Sequence, residues 1–182
     1  MLSRPEPMRT KVYTTKKLQK FVEKLITSDT DAETGFLGKW NATLFYVERK
    51  KCLLFTNGFT KYSVILADIK SSDFKNLEER FKSTFINQLI YDGIIADFKK
   101  VDALIGALDF LPTDNDHVTK GFQNQRIYEL EIWKAEFRTL EQMPMTELSS
   151  RMNRIPIHIG KSKRLSDFTT STKEMKNLMS HL

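Results

Sequence analysis

The chain has 182 residues, of which 40% are hydrophobic and 29% charged, and it carries a formal net charge of +6 with a sequence pI of about 9.3. This composition is typical of one globular domain, and no apolar run approaches the length needed to span a bilayer. A single cysteine excludes an internal disulfide framework and a cysteine-rich zinc site. Because the first residues lack an apolar stretch, we expect no secretory signal and a cytoplasmic protein.

The charge is unevenly distributed along the chain. Residues 1–24 carry seven Lys/Arg against two Glu, residues 92–150 six Lys/Arg against eleven Asp/Glu, and residues 151–182 seven against two. Basic ends around an acidic middle indicate either a nucleic acid or acidic protein partner, or no more than solubility.

The first elements are a flexible lead, a short strand and a basic helix. Residues 1–8 contain two prolines and predict an unstructured lead. A short strand is predicted over residues 11–14, and Thr15 fits the N-cap of an amphipathic helix that follows. Four lysines lie away from the apolar stripe of that helix and predict a solvated face or a binding face: Lys16, Lys17, Lys20 and Lys24.

The stretch from Trp40 to Ile69 predicts three antiparallel strands joined by two tight turns. The polar corner Arg49-Lys50-Lys51 is too short for a crossover, and Asn57-Gly58 supplies residues that tolerate positive φ. Both faces of these strands are apolar, so helices must cover both. The predicted fold is therefore α+β, an antiparallel β-meander of four to five strands covered by helices, over residues 9–160.

Further helices are predicted after the meander. One begins at Ser72 and ends near Gly93, a second covers about 95–107, and a third runs from Val118 to about Phe137 after a short strand at 109–111. Residues 161–182 form a basic C-terminal segment that ends in a short helix.

Three motifs suggest a family. The run WNATLF…RKKCLLFTN…TKYSVIL, the segment from Thr113 to Asn124 (T-D-N-D-x-V-x-x-G-x-x-N) and Asn153-Arg154-Ile155-Pro156 follow one another along the chain. Together they resemble the signature of an uncharacterised bacterial family of unknown function, from about residue 9 to the end. The resemblance implies no activity.

The sequence predicts neither a metal site nor a cofactor. The three histidines are far apart, and Asp114, Asn115 and Asp116 do not complete a calcium-loop pattern. Asp and Asn residues just before a helix are typical of caps. Cys52 lies between apolar neighbours and is expected to be a core residue.

One candidate anion site lies at the start of the helix at Val118. Its backbone N–H groups are followed by Lys120, Asn124 and Arg126, which supply positive and polar side chains. The alternative is a capped helix whose Arg126 pairs with a nearby carboxylate.

A candidate nucleic-acid site combines cations with aromatic rings, because Lys and Arg bind phosphate and aromatics stack on unpaired bases. The candidates are Arg49, Lys50, Lys51, Lys61, Tyr62, Trp40 and the basic tail residues Lys161, Lys163 and Arg164.

These patterns favour a small basic binding protein that docks nucleic acid or an acidic protein surface, in a mobile-element, defence or counter-defence context such as a phage or plasmid. One alternative is a ribosome-dependent nuclease-type toxin that uses Asp114, His117, Lys120 and Arg126. Another is a protein-interaction module or homodimer that binds no nucleic acid.

Overall fold

A five-stranded mixed sheet forms the centre of the computed structural model, which describes residues 8–28, 34–94, 97–160 and 164–182. The order across the sheet is β4-β3-β2-β1-β5. The strands are β1 Arg9–Thr14, β2 Trp40–Val47, β3 Lys50–Asn57, β4 Ser63–Leu66 and β5 Ala107–Leu111.

The predicted antiparallel meander accounts for only part of this sheet. Strands β2, β3 and β4 pair antiparallel as expected, but β1 runs parallel to both β2 and β5. The prediction of a purely antiparallel sheet is therefore wrong. The physical reason is that helical connections leave β1 and enter β5, and helical crossovers join parallel strands.

Six α-helices in the described ranges surround the sheet, and most begin and end within a few residues of the predicted positions. The first begins at the predicted cap, where Thr15 Oγ1 accepts a hydrogen bond from the Leu18 N–H at 3.4 Å. The helices are α1 Lys16–Val22, α2 Leu77–Tyr91, α3 Phe98–Ile105, α4 His117–Lys134, α5 Met145–Asn153 and α6 Ser171–Ser180. A small second sheet, β6 Pro156–His158 with β7 Phe168–Thr170, was not predicted.

Helices cover both faces of the sheet, as the apolar strands predicted. Side chains of α1, α2, α3 and α6 pack on one face, where the Trp40 ring lies 5.1 Å from Phe81 and 5.0 Å from Phe85 between centroids. Side chains of α4 and α5 pack on the other face, around Phe45 and Leu54. Successive β2 residues alternate between these two cores.

The two turns of the meander differ in their details from the prediction. Glu48 and Arg49 form the first turn with φ of 50° and 66°, so Lys50 and Lys51 belong to β3. In the second turn, positive φ occurs at Lys61 and not at Asn57 or Gly58. The Asn57 side chain instead accepts hydrogen bonds from backbone N–H groups of residues 59 and 60, at 3.0 Å each.

The β4 edge of the sheet is closed by one side chain. Asn153, the last residue of α5, accepts a hydrogen bond from the Ser63 N–H and donates one to the Ser63 carbonyl, both at 2.8 Å. It therefore takes the place of a neighbouring strand, and it protects an edge that could otherwise pair with another chain.

Candidate functional site

A groove opens where β1 stops and β2 continues. Thr14, the last residue of β1, is paired with Ala42, whereas β2 runs on to Val47. From this end of the sheet the chain enters α1, which packs on one face, while α4 packs on the other face. The groove lies between the beginnings of these two helices. The carboxyl ends of parallel strands are a common place for binding sites in open sheets.

The groove has a volume of about 800 Å³, and most of the residues that line it are polar or basic. Among the described residues that line it, three are lysines, Lys16, Lys17 and Lys120, and one is a carboxylate, Glu131. The Tyr46 side chain contributes an aromatic ring that is 41% exposed. The groove therefore offers positive charge beside an accessible aromatic surface.

The outward side of α1 continues this basic surface. Lys16, Lys17, Lys20 and Lys24 are all exposed. The first three project within an arc of about 100° around the axis of α1, given its turn per residue, and Lys24 follows in a 3-10 turn, Glu23–Leu25, at the end of the helix. We call these four residues the lysine face. No carboxylate in the described part of the chain forms an ion pair with any of them, and Lys17 Nζ lies 4.8 Å from the centroid of the Tyr46 ring.

The loop before α4, made of Asp114, Asn115 and Asp116, is a cap whose two carboxylates share one lysine. Lys39 Nζ lies 2.6 Å from Asp114 Oδ2 and 3.1 Å from Asp116 Oδ2, and the Thr119 N–H and hydroxyl both donate to Asp116. Burial opposes ionisation of Asp116, but these hydrogen bonds and the Lys39 charge outweigh it and hold the pKa of Asp116 well below its usual range. Lys39 balances one of the two negative charges, and Lys61 interacts electrostatically with both carboxylates.

Behind this loop lies a small recess of about 40 Å³. It shares Thr15, Asn115 and His117 with the groove, so the two spaces adjoin. Asn41 lines the recess and is 8% exposed; its Nδ2 donates to Asp114 Oδ1 at 3.0 Å. The Asn41 Oδ1 atom is buried and has no hydrogen-bond partner in the described part of the chain.

The two aromatic residues predicted to stack on bases lie inside the protein. Trp40 and Tyr62 are both 0% exposed. Trp40 packs edge-on against the phenylalanines of α2, and the Tyr62 hydroxyl donates to Asp92 at 2.5 Å. Burial raises the pKa of Tyr62, and the neighbouring Asp92 carboxylate raises it further. The prediction that Trp40 and Tyr62 belong to a binding surface is wrong because helix α2 covers this face of the strands.

The cations of the hairpin and tail fall into two groups. Lys50 forms an ion pair with Glu141, and Lys61 is drawn inward, where its Nζ donates to Thr119 Oγ1 at 2.7 Å. Burial lowers the pKa of Lys61. Neither residue is available at the surface as predicted, because each already binds a group of the protein itself.

Arg49 and Lys51 stay accessible. Arg49 is exposed at the hairpin turn, and Lys51 Nζ lies 5.4 Å from the centroid of the Phe21 ring, which places it beside α1. Arg164 is also exposed. Lys161 and Lys163 lie outside the described residues, and so do residues 1–7 of the predicted lead.

The structure brings three of the four predicted nuclease residues together, because Asp114, His117 and Lys120 line the small recess. His117, Lys120 and the neighbouring Asn124 are exposed at the groove, but Asp114 is paired with Lys39. Arg126 is 5% exposed.

The guanidinium of Arg126 lies between α4 and α5, not in the groove. Its NH1 atom lies 3.0 Å from Glu129 Oε2 and 3.4 Å from the Met152 carbonyl. The alternative that Arg126 pairs with a carboxylate is confirmed, so its assignment to an anion site is wrong.

Two parts of the site carried no sequence signal. Lys39 lies 75 residues from Asp114 along the chain, and a lone lysine before a strand is unremarkable. Asn41 sits within an apolar strand, where its polarity was the only available sign of a special role.

The chain was also compared with known proteins. A model of a family described as a domain of unknown function, DUF6933, matches residues 11–170. The chain belongs to the DUF6933 family. The prediction of a family of unknown function is thereby confirmed. The matched residues include the groove, the lysine face and the recess. No curated protein matches the chain significantly.

Within residues 8–28, 34–94, 97–160 and 164–182, no helix is long and apolar enough to cross a membrane. In the same ranges, no three His, Cys, Asp or Glu residues are grouped closely enough to hold a metal ion.

Proposed function

We propose that this protein binds single-stranded nucleic acid along the lysine face and in the adjoining groove between α1 and α4. The observation that carries the proposal is which cations are exposed and which are already paired with a carboxylate. The lysines of α1 are exposed without a carboxylate partner, whereas other candidate cations, such as Lys50 and Arg126, are neutralised by the protein.

The extent of the lysine face favours a chain of phosphates over a small anion. Lys16 and Lys24 are eight residues apart, so the face extends over about 12 Å at the rise of a helix. Lys51 and Lys120 lengthen the basic surface on either side of α1. Several separated cations gain most from a ligand that places several negative charges along one path, since each contact releases counterions.

The aromatic ring in the groove favours unpaired bases. Tyr46 is 41% exposed, and bases stack on exposed aromatic rings only when they are not paired in a duplex. An acidic protein would gain from the lysines but not from this stacking surface. For that reason we place nucleic acid ahead of an acidic partner. The nuclease interpretation is set aside because Asp114 is paired with Lys39 and Arg126 is buried beside Glu129.

Binding is tested by fluorescence anisotropy with a labelled single-stranded RNA of about 12 nucleotides. We expect the triple variant K16Q/K17Q/K20Q to weaken binding by at least about tenfold. The matched control is K99Q/K173Q/K176Q, which removes three other exposed lysines and changes the net charge equally.

Two results would contradict the proposal. One is an equal loss of affinity in the two triple variants, since binding would then depend on net charge alone. The other is complete displacement of the RNA by an acidic peptide of matched charge at the same concentration, which would favour a protein partner.

A further inference from the structure

Asn41 lines the recess behind the acidic loop, and its amide oxygen has no hydrogen-bond donor among the described residues. Asn41 is 8% exposed, and its amide nitrogen is engaged by Asp114 at 3.0 Å. Its Oδ1 atom is buried and unpaired in the described part of the chain. A buried polar atom without a hydrogen-bond partner costs free energy, so such an atom in a native protein calls for an explanation.

The surroundings of the unpaired oxygen define the group that could satisfy it. Asp114 and Asp116 also line the recess, but all four of their carboxylate oxygens already accept hydrogen bonds from the protein, whereas Asn41 Oδ1 accepts none from the described residues. A carbonyl oxygen that entered this space would be repelled by the partial negative charge of Asn41 Oδ1, whereas an N–H group could donate a hydrogen bond to it. The volume of about 40 Å³ accommodates a small group of this kind and not a whole base.

The recess also adjoins the phosphate-binding surface. Lys120 and His117 line both the recess and the groove. A nucleotide whose phosphate contacts the groove lysines therefore has its base close to the recess. An exocyclic amino group is a small hydrogen-bond donor that projects beyond the ring, whereas the ring N–H of uracil lies between two carbonyl oxygens.

We propose that the recess selects nucleotides by their exocyclic amino group, with Asn41 Oδ1 as the acceptor, so that cytosine is preferred over uracil. This inference rests on the proposed function. Cytosine carries its amino group where uracil carries a carbonyl oxygen, and its N3 atom is an acceptor where uracil has an N–H group. The two pyrimidines are alike in size and phosphate charge. The comparison therefore isolates the contribution of the recess from that of the lysine face.

The test compares the affinities of fluorescently labelled octacytidylate and octauridylate near neutral pH. One hydrogen bond to an otherwise unpaired buried acceptor leads us to expect about tenfold tighter binding of octacytidylate. The variant N41L, which keeps the number of side-chain heavy atoms but has no acceptor, should bind both oligomers equally. K16Q/K17Q/K20Q should weaken both oligomers alike and leave their ratio unchanged.

A second probe leaves the protein unaltered, in case N41L does not fold as judged by its thermal melt. An octamer built from 2-pyrimidinone nucleotides lacks the amino group of cytosine and keeps its ring nitrogen. Its binding to the wild-type protein should be weaker than that of octacytidylate by the same factor of about ten.

The outcomes separate the two proposals. Equal binding of octacytidylate and octauridylate by the wild type overturns the selectivity of the recess and leaves nucleic-acid binding standing. A preference for octacytidylate over octauridylate that persists in folded N41L also overturns it. So does equal binding of octacytidylate and the 2-pyrimidinone octamer by the wild type. If neither oligomer binds, nucleic-acid binding itself fails and the recess inference falls with it.

Discussion

Replacing Asn153 by alanine should open the β4 edge and destabilise the whole protein. The Asn153 side chain makes two hydrogen bonds of 2.8 Å with the main chain of Ser63, and both residues are buried. Alanine removes both bonds and leaves a buried N–H and a buried carbonyl of Ser63 unpaired. At about 1–3 kcal/mol for each unsatisfied group, we expect a loss of about 3 kcal/mol in the free energy of unfolding.

Urea unfolding followed by circular dichroism measures this loss, and a thermal melt should show a decrease in Tm of about 6–12 °C for a protein of this size. The isosteric variant N153D keeps the volume of the side chain but cannot donate to the Ser63 carbonyl, so it should be damaged at least as much. The control N177A removes an exposed amide of α6 that makes no side-chain hydrogen bond. If N153A were as stable as N177A, the assignment of Asn153 as the closure of this edge would be refuted.

Three further predictions concern stability. Because the folded state lowers the pKa of Asp116, the ionised carboxylate stabilises the protein above the ordinary carboxyl pKa, and this stabilisation is lost as the pH falls below about 4. The variant D116N keeps a capping oxygen but does not titrate, so the free energy of unfolding in urea should decline less steeply between about pH 5 and pH 3. R126A should cost about 3 kcal/mol in urea unfolding, since it leaves Glu129 without its buried partner. G106A should lower the free energy of unfolding by at least about 2 kcal/mol, because the φ of residue 106 is 61° and an added Cβ would collide with the Met8 carbonyl oxygen.

Each of these predictions has a clear contrary result. An acid decline of the same steepness in D116N and wild type would mean that other carboxylates control it. An R126A protein as stable as K120A, which alters an exposed lysine of the same helix, would mean that the ion pair contributes nothing. A G106A protein with an unchanged melt would show that the main chain can shift at this position without cost.

Local features of the fold could be read from the sequence because their causes lie within a few residues. Thr15 caps α1 as predicted, since the capping hydroxyl and the N–H that donates to it are three residues apart. The meander was likewise visible from alternating apolar residues and short turns. The parallel pairing of β1 with β5 was not, because Arg9 and Ala107 are neighbours only after the intervening chain has folded.

The same distinction applies to the candidate site. The lysines of α1 recur on one side of a helix, so their shared face could be predicted from spacing alone. The burial of Trp40 and Tyr62 depends on where α2 packs, which no local pattern specifies. The pairing of Asp114 with Lys39 joins residues 75 apart, so no local pattern could predict it.

The salt dependence of RNA binding examines the lysine face without assumptions about the base. The slope of log K against log of the salt concentration falls by about 0.7 for each phosphate contact that a protein loses on a single strand. We predict that K16Q/K17Q/K20Q reduces the slope by about 2 relative to the wild type, while K99Q/K173Q/K176Q leaves it unchanged. Identical slopes for wild type and K16Q/K17Q/K20Q would show that these lysines touch no phosphate, and would contradict the assignment of nucleic-acid binding to α1.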